Sequence, residues 1–328
     1  MGWRGATDGH RLRNGRLFLV LMKNSLATLR TRRGPQERRE DHMLFRGSIG
    51  AAALVVALLT ATAAQAFDDA KYPNLKGQWH RAEGNAGAGR FDPTKPPGRL
   101  QEVPLTAEYQ AIYEGNIANK EAGGQGSDPT YKCLPPGMPR IMHAYAPMEV
   151  VVMPDTTYIL MEHIHDNRRI HTDGRDFPDD MDADPMFAGY SIGRWVDEDG
   201  DGRYDVLLVE TRGFKGPRNY DVSGTPLHRD NQSIIRERIY LDKNDPNMLH
   251  DEITIIDHAL TRPWTVTKNY RRAQSKQPIW WHEDICAEAN VHVDIGGQAY
   301  FLSADGLLMP TKKDQPPPDL RYFKQTRK

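Results

Sequence analysis

The residues best suited to chemistry lie in Asp197-Glu198-Asp199-Gly200-Asp201-Gly202-Arg203-Tyr204-Asp205, where carboxylates recur at alternate positions. Oxygen donors at that spacing, with Gly202 supplying the sharp turn, can wrap a hard cation at about 2.3–2.6 Å. The expected ligands of a structural Ca2+ are Asp197, Asp199, Asp201, the Arg203 carbonyl and Asp205. The competing reading is a solvated acidic turn.

Other groups invite chemistry less sharply. In His163-Ile164-His165, imidazoles two apart on a strand project to one side and could approach a transition metal. A third ligand would have to come from His171, Asp166 or a distant strand, and scattered hydrogen-bonded histidines are the alternative. In Arg168-Arg169-Ile170-His171-Thr172-Asp173-Gly174-Arg175, forked guanidiniums beside Asp173 could hold a carboxylate-bearing ligand, with Arg169 or Arg175 meeting its charge. A surface ion-pair network is the plainer account. His228 lies in a loop and could serve as a general base with Glu237, Asp173 or Glu162. The chain has no G-x-S-x-G, G-x-x-x-x-G-K-[ST], H-E-x-x-H or helix-opening G-x-G-x-x-G, so no nucleotide cofactor is expected.

The elements that must position these groups read as strands after Pro147. Alternating apolar residues mark Met148–Met153, Thr157–Ile164, Ser191–Trp195, Tyr204–Thr211, Ser233–Leu241, Glu252–Asp257, Trp264–Tyr270 and Val291–Leu302. Arg168–Arg175 ends a further strand in an Asp-Gly turn. Short connections favour an all-β antiparallel meander over βαβ crossovers. Glu237 shares the apolar face of its strand and Asp257 the face of Ile253 and Ile255, so the covered side carries carboxylates that need partners or must rise in pKa. A closed, calycin-like barrel with a partly polar lumen satisfies this pattern, and a β-sandwich is the alternative. Residues 67–147 read as a loop-rich wrap around Gln78-Trp79, with one helix opened by Thr106.

Residues 43–66 carry the marks of a signal peptide: Arg46, the apolar run Ile49–Ala61 and the small-x-small site Ala64-Gln65-Ala66. Residues 1–42 then read as an extension ahead of the true start at Met43, and the mature chain starts at Phe67. The 13-residue apolar run is short of the roughly 20 needed to span a bilayer, so no stable span is expected after cleavage. The address is the periplasm or beyond. There Cys133 and Cys286 are expected to pair, two buried thiols being the alternative. Residues 67–328 hold 32 Lys+Arg and 40 Asp+Glu, a formal net charge of −8. With no basic stripe outside the leader, nucleic acid is not the expected partner.

Several stretches resemble other proteins. The acidic loop is similar to the D-x-D-x-D-G-x-x-D loops of dockerins, thrombospondin repeats and FG-GAP blades, and to the first nine positions of an EF-hand. It departs at the twelfth, where Leu208 stands for the bidentate Glu, which implies weak binding at ~10⁻⁴–10⁻³ M. The runs Cys133–Arg140, Arg168–Arg175, Gly189–Trp195, Arg262–Val266 and Cys286–Asn290 together resemble a group of exported bacterial proteins, and that likeness brings no activity with it. The group has His where this chain has Tyr190, so no histidine role carries over.

These readings imply an exported barrel that binds a small, partly apolar, anionic molecule, with Trp264 and Tyr270 lining the pocket. The alternatives are a hydrolase, lyase or isomerase using Glu237, Asp173 and His228, or a calcium-stabilised envelope component without a small ligand.

Overall fold

Short runs of β-branched and aromatic residues form β1 (Gln78–Arg81), β2 (Met148–Val152), β3 (Thr156–Met161), β4 (Arg168–His171) and β5 (Tyr190–Val196). The series continues with β6 (Val206–Arg212), β7 (Ile234–Leu241), β8 (Met248–Ile256) and β9 (Trp264–Arg272). In this computed structural model, which describes residues 67–83, 90–143, 145–163, 167–274, 280–286, 292–303 and 305–319, the nine strands close into a barrel in chain order. Residues 1–66, among them the expected signal peptide 43–66 and its expected cleavage site, lie outside the described residues. Among the described residues, no helix is long and apolar enough to cross a membrane.

The expected all-antiparallel meander needs one correction: β4 and β5 run parallel, while β1 pairs antiparallel with both β2 and β9. The reason is arithmetic. Strand direction can alternate all the way round a closed ring only when the number of strands is even, so nine strands require at least one parallel neighbour pair. Residues 172–189 supply the long return that a parallel pair demands.

Two rims follow from the strand directions. The first collects the start of β1 and the end of β9 with the turns 153–155, 197–205 and 242–247; the second collects 162–167, 213–233 and 257–263. A helix, α1 (Ala107–Glu121), follows Thr106, whose side chain accepts from the Tyr109 amide as an N-cap. The stretch expected to run as one strand from Val291 to Leu302 is instead a hairpin, β10 (His292–Ile295) and β11 (Gln298–Leu302), extended by β12 (Leu308–Pro310) into a separate three-stranded sheet. Gly296 and Gly297 break it at φ +59° and +76°, a backbone region that suits glycine. The wrap also contributes more than expected, because Gln78-Trp79 belongs to β1 and seals the barrel.

The interior is packed, not hollow. Trp79, Ile159, Ile170, Leu207, Ile235, Ile253, Ile255 and Tyr270 are essentially sealed from solvent. A Cβ on Gly193 would come within 2.6 Å of Ile170 Cγ2, which shows how closely β4 and β5 approach there. Outside the barrel, Cys133 and Cys286 form the expected disulfide, tying the segment before β2 to the segment after β9.

Candidate functional site

Period-two alternation points Arg168, Ser191, Thr211, Glu237, Asp251, Lys268 and Tyr270 into the barrel, where all seven are buried. Arg168 donates to both carboxylate oxygens of Glu237, at 2.8 and 2.6 Å, with both side chains fully sealed. Its second terminal nitrogen also reaches Ser191 and Thr211. Glu237 thus obtains the partner that a buried carboxylate requires.

Asp251 and Lys268 face each other across the β8–β9 ladder. Burial, reinforced by the Glu237 carboxylate, pushes the Asp251 carboxyl well above its ordinary range, and its oxygens have no hydrogen-bond partner among the described residues. Burial likewise drives the Lys268 amine down to about 7, against the attraction of Asp221, Glu83 and Asp251. Lys268 donates to the Phe91 carbonyl and lies 4.1 Å from that ring's centroid. His143 is held neutral by burial and by the nearby Lys268, Arg140 and Arg81 cations. Lys268, His143, Tyr270 and Arg81 border an interior cavity of about 10 Å³, room for about one water.

Space for a larger molecule occurs at the first rim, where residues 69–77 lie across the barrel end. A cavity of about 490 Å³ is lined by Asp69, Tyr72, Leu75, Lys76, Val150 and Arg203 among others. A second of about 560 Å³ lies between the acidic loop and the β7–β8 turn, bordered by Tyr204, Arg238, Tyr240, Lys243, His250 and again Arg203. Most charges here are paired. Arg238 holds Glu198 at 2.5 Å, His250 meets Asp242 at 3.1 Å, and Lys243 lies 3.8 Å from Asp199. The Arg203 side chain, by contrast, forms no ion pair among the described residues while bordering both cavities.

The acidic loop itself is the hairpin tip between β5 and β6. Asp197 accepts from the Gly200 and Gly202 amides at 2.6 and 2.9 Å, Asp201 from the Arg203 amide at 2.8 Å, and Asp205 from the Glu198 amide at 3.0 Å. Gly202 takes φ +89°, the conformation its turn role requires. Oxygens of Asp197, Asp199 and Asp205 come within 4.8 Å of one another, so the donor set fits a hard cation. Asp201 is not in that group.

The other candidate residues are dispersed. Asp173 sits in an exposed turn after β4, at the first rim, where Arg175 grips both its oxygens and holds its carboxyl down at about 2. Arg175 also donates to Tyr190, and Arg169 lies over the Tyr158 ring. His228 belongs to the second rim, beside Asp230 and His258. Glu237, Asp173 and His228 therefore stand inside the barrel and at opposite ends of it, and they form no common site. Glu162 is buried at the second rim. Trp264 packs against Phe91 and Tyr220, and Tyr270 donates to the Met142 carbonyl, so neither ring lines a ligand-sized cavity. His163 pairs with Asp284 at 2.5 Å, His171 stacks on Tyr190, and His165 and Asp166 lie outside the described residues. Sequence reasoning missed Lys268 and Asp251, although the alternation that exposed Glu237 also points them inward; it took Arg203 for its carbonyl alone.

No family model matches this chain, and no curated protein matches it.

Proposed function

We propose that the chain is an exported, calcium-stabilised β-barrel protein that binds a small, partly apolar, anionic molecule at its first rim. The observation that carries this reading is Arg203, which borders two adjoining cavities of about 490 and 560 Å³ and whose side chain forms no ion pair among the described residues. Cavities of that size suit a small molecule, and a forked cation is the group that would orient a carboxylate. Tyr72, Leu75, Tyr204 and Tyr240 offer the apolar contact. The interior is filled by its own side chains, which favours the rim over the lumen.

Calcium in the Asp197–Asp205 loop would take the Arg203 carbonyl as a ligand and so fix the residue whose side chain meets the anion. Export by the 43–66 segment would deliver the protein to a compartment where calcium is available and the Cys133–Cys286 bond persists.

A melting-temperature screen of small aromatic and aliphatic carboxylates in calcium buffer tests the reading. A binder at a hundredfold its dissociation constant stabilises by about 2.7 kcal/mol. Arg203→Ala should cost that binder about 1.5–3 kcal/mol, the loss of a charge-assisted hydrogen bond. A panel that leaves the melting curve unmoved would instead favour a structural envelope component.

A further inference from the structure

At the second rim the loop before β7 meets the turn between β8 and β9, and three side chains with metal-ligating atoms converge. His228 Nδ1 lies 2.8 Å from Asp230 Oδ1, and His258 Nδ1 lies 2.7 Å from Asp230 Oδ2. One ligand atom from each residue falls within 4.8 Å of the other two. On a tetrahedral ion with bonds of about 2.0–2.2 Å, donor atoms stand roughly 3.3 Å apart. Small adjustments at Asp230, and a larger approach of the two rings, would seat such an ion.

A buried carboxylate ties the scaffold beneath together. Asp257, adjacent to His258, is buried and accepts from the His228 amide and the Ala259 amide, both at 2.9 Å, and from the Ser233 hydroxyl at 2.5 Å. Both histidine-bearing segments thus hang from one interior carboxylate. The Tyr109 ring packs 5.0 Å from that of His228, and its hydroxyl accepts from the Arg229 amide.

Proton bookkeeping points the same way. His228 Nδ1 accepts a hydrogen bond from the Asp230 amide at 3.2 Å, which requires its lone pair, yet the same nitrogen lies 2.8 Å from an Asp230 carboxylate oxygen. One ring nitrogen cannot accept from the amide and donate to the carboxylate at once. A cation between nitrogen and oxygen removes the opposition, and the exposed amide can turn to water.

We propose that His228, Asp230 and His258 bind a divalent transition-metal ion of the zinc class, with water completing its coordination. Two imidazoles and one carboxylate suit zinc, cobalt, nickel or copper, whereas calcium takes an all-oxygen shell. The site is therefore chemically and spatially distinct from the acidic loop at the opposite rim. The His258 side chain is 68% exposed, so the ion would face solvent and keep a position open for a donor atom from a solute.

The test is calorimetric titration of the metal-free full chain with Zn2+, with Co2+ absorption reporting the ligand field. The expected result is one Zn2+ per chain and a low-coordinate cobalt spectrum. His258→Ala removes an exposed side chain without touching the core, and Asp230→Asn keeps the shape while removing the charge. Each should weaken Zn2+ by about tenfold or more, the loss that even an outer partner's removal causes. Asp199→Ala should leave the Zn2+ titration unchanged. Absence of Zn2+ uptake by the wild-type chain, or equal titration of the wild type and both rim variants, overturns the proposal.

Discussion

Arg168 and Glu237 form the most enclosed ion pair of the barrel, and the physics of such pairs is asymmetric. Removing one partner strands a charge without water, whereas removing both need cost little. Glu237→Ala or Arg168→Met should each lower unfolding free energy by about 3–5 kcal/mol, and the double variant Arg168→Met/Glu237→Leu should recover most of it. Urea titration of the four proteins checks this, and additive losses would contradict it. Lys268 makes a pH-dependent contribution. Its folded pKa is about 7, below the 10.5 of a free lysine, so between those values the unfolded chain holds a proton that the native protein has released. Its contribution to stability is complete above the unfolded value and is lost as pH falls toward about 7, with a slope of up to about 1.4 kcal/mol per pH unit. The wild type should therefore gain stability relative to Lys268→Met as pH rises through that interval; parallel pH profiles would refute it. At this scale, alternation made the inward direction of Glu237 legible. Its partner was not, because Arg168 lies 69 positions away and meets it only across the closed barrel.

Among the elements, the β5–β6 tip is the one whose chemistry could be read before its position was known. If the loop takes calcium as proposed, millimolar Ca2+ should raise the melting temperature and Asp199→Ala should abolish the increment, while an unchanged wild-type curve would remove calcium from the account. Strands with long alternating runs, such as β6 and β7, were readable to within two residues at their ends. β1 was not, since four residues in a Gly- and Pro-rich stretch carry too little periodicity and owe their conformation to pairing with β2 and β9. The β10–β11 hairpin was hidden for a different reason: apolar residues continue through the Gly296-Gly297 turn, so hydropathy alone does not mark the break.

For the molecule as a whole, the Cys133–Cys286 bond joins positions 153 apart and encloses eight of the nine barrel strands. Long closed loops of this kind lose the most disorder in the unfolded chain, and Cys133→Ser/Cys286→Ser should cost about 2–5 kcal/mol against the oxidised protein. Denaturant unfolding with and without reductant measures it. The barrel class was legible from the density of short amphipathic strands, and so was the pairing of the two cysteines. The clustering of ligand-sized space at one rim was not, because it depends on where residues 69–77 lie once the strands have closed.

The lone same-direction neighbours β4 and β5 have a lasting effect on how this architecture can change. Residues 172–189 are the stretch by which the polypeptide travels from one mouth to the other without adding a rung. Shortening that traverse to a tight reversal would oblige β5 to point the other way, and every later strand with it, so that β9 would run in the same direction as β1. Losing or gaining a single strand would remove the need for the detour altogether; trimming the detour alone would move the same-direction contact to the place where the cylinder closes.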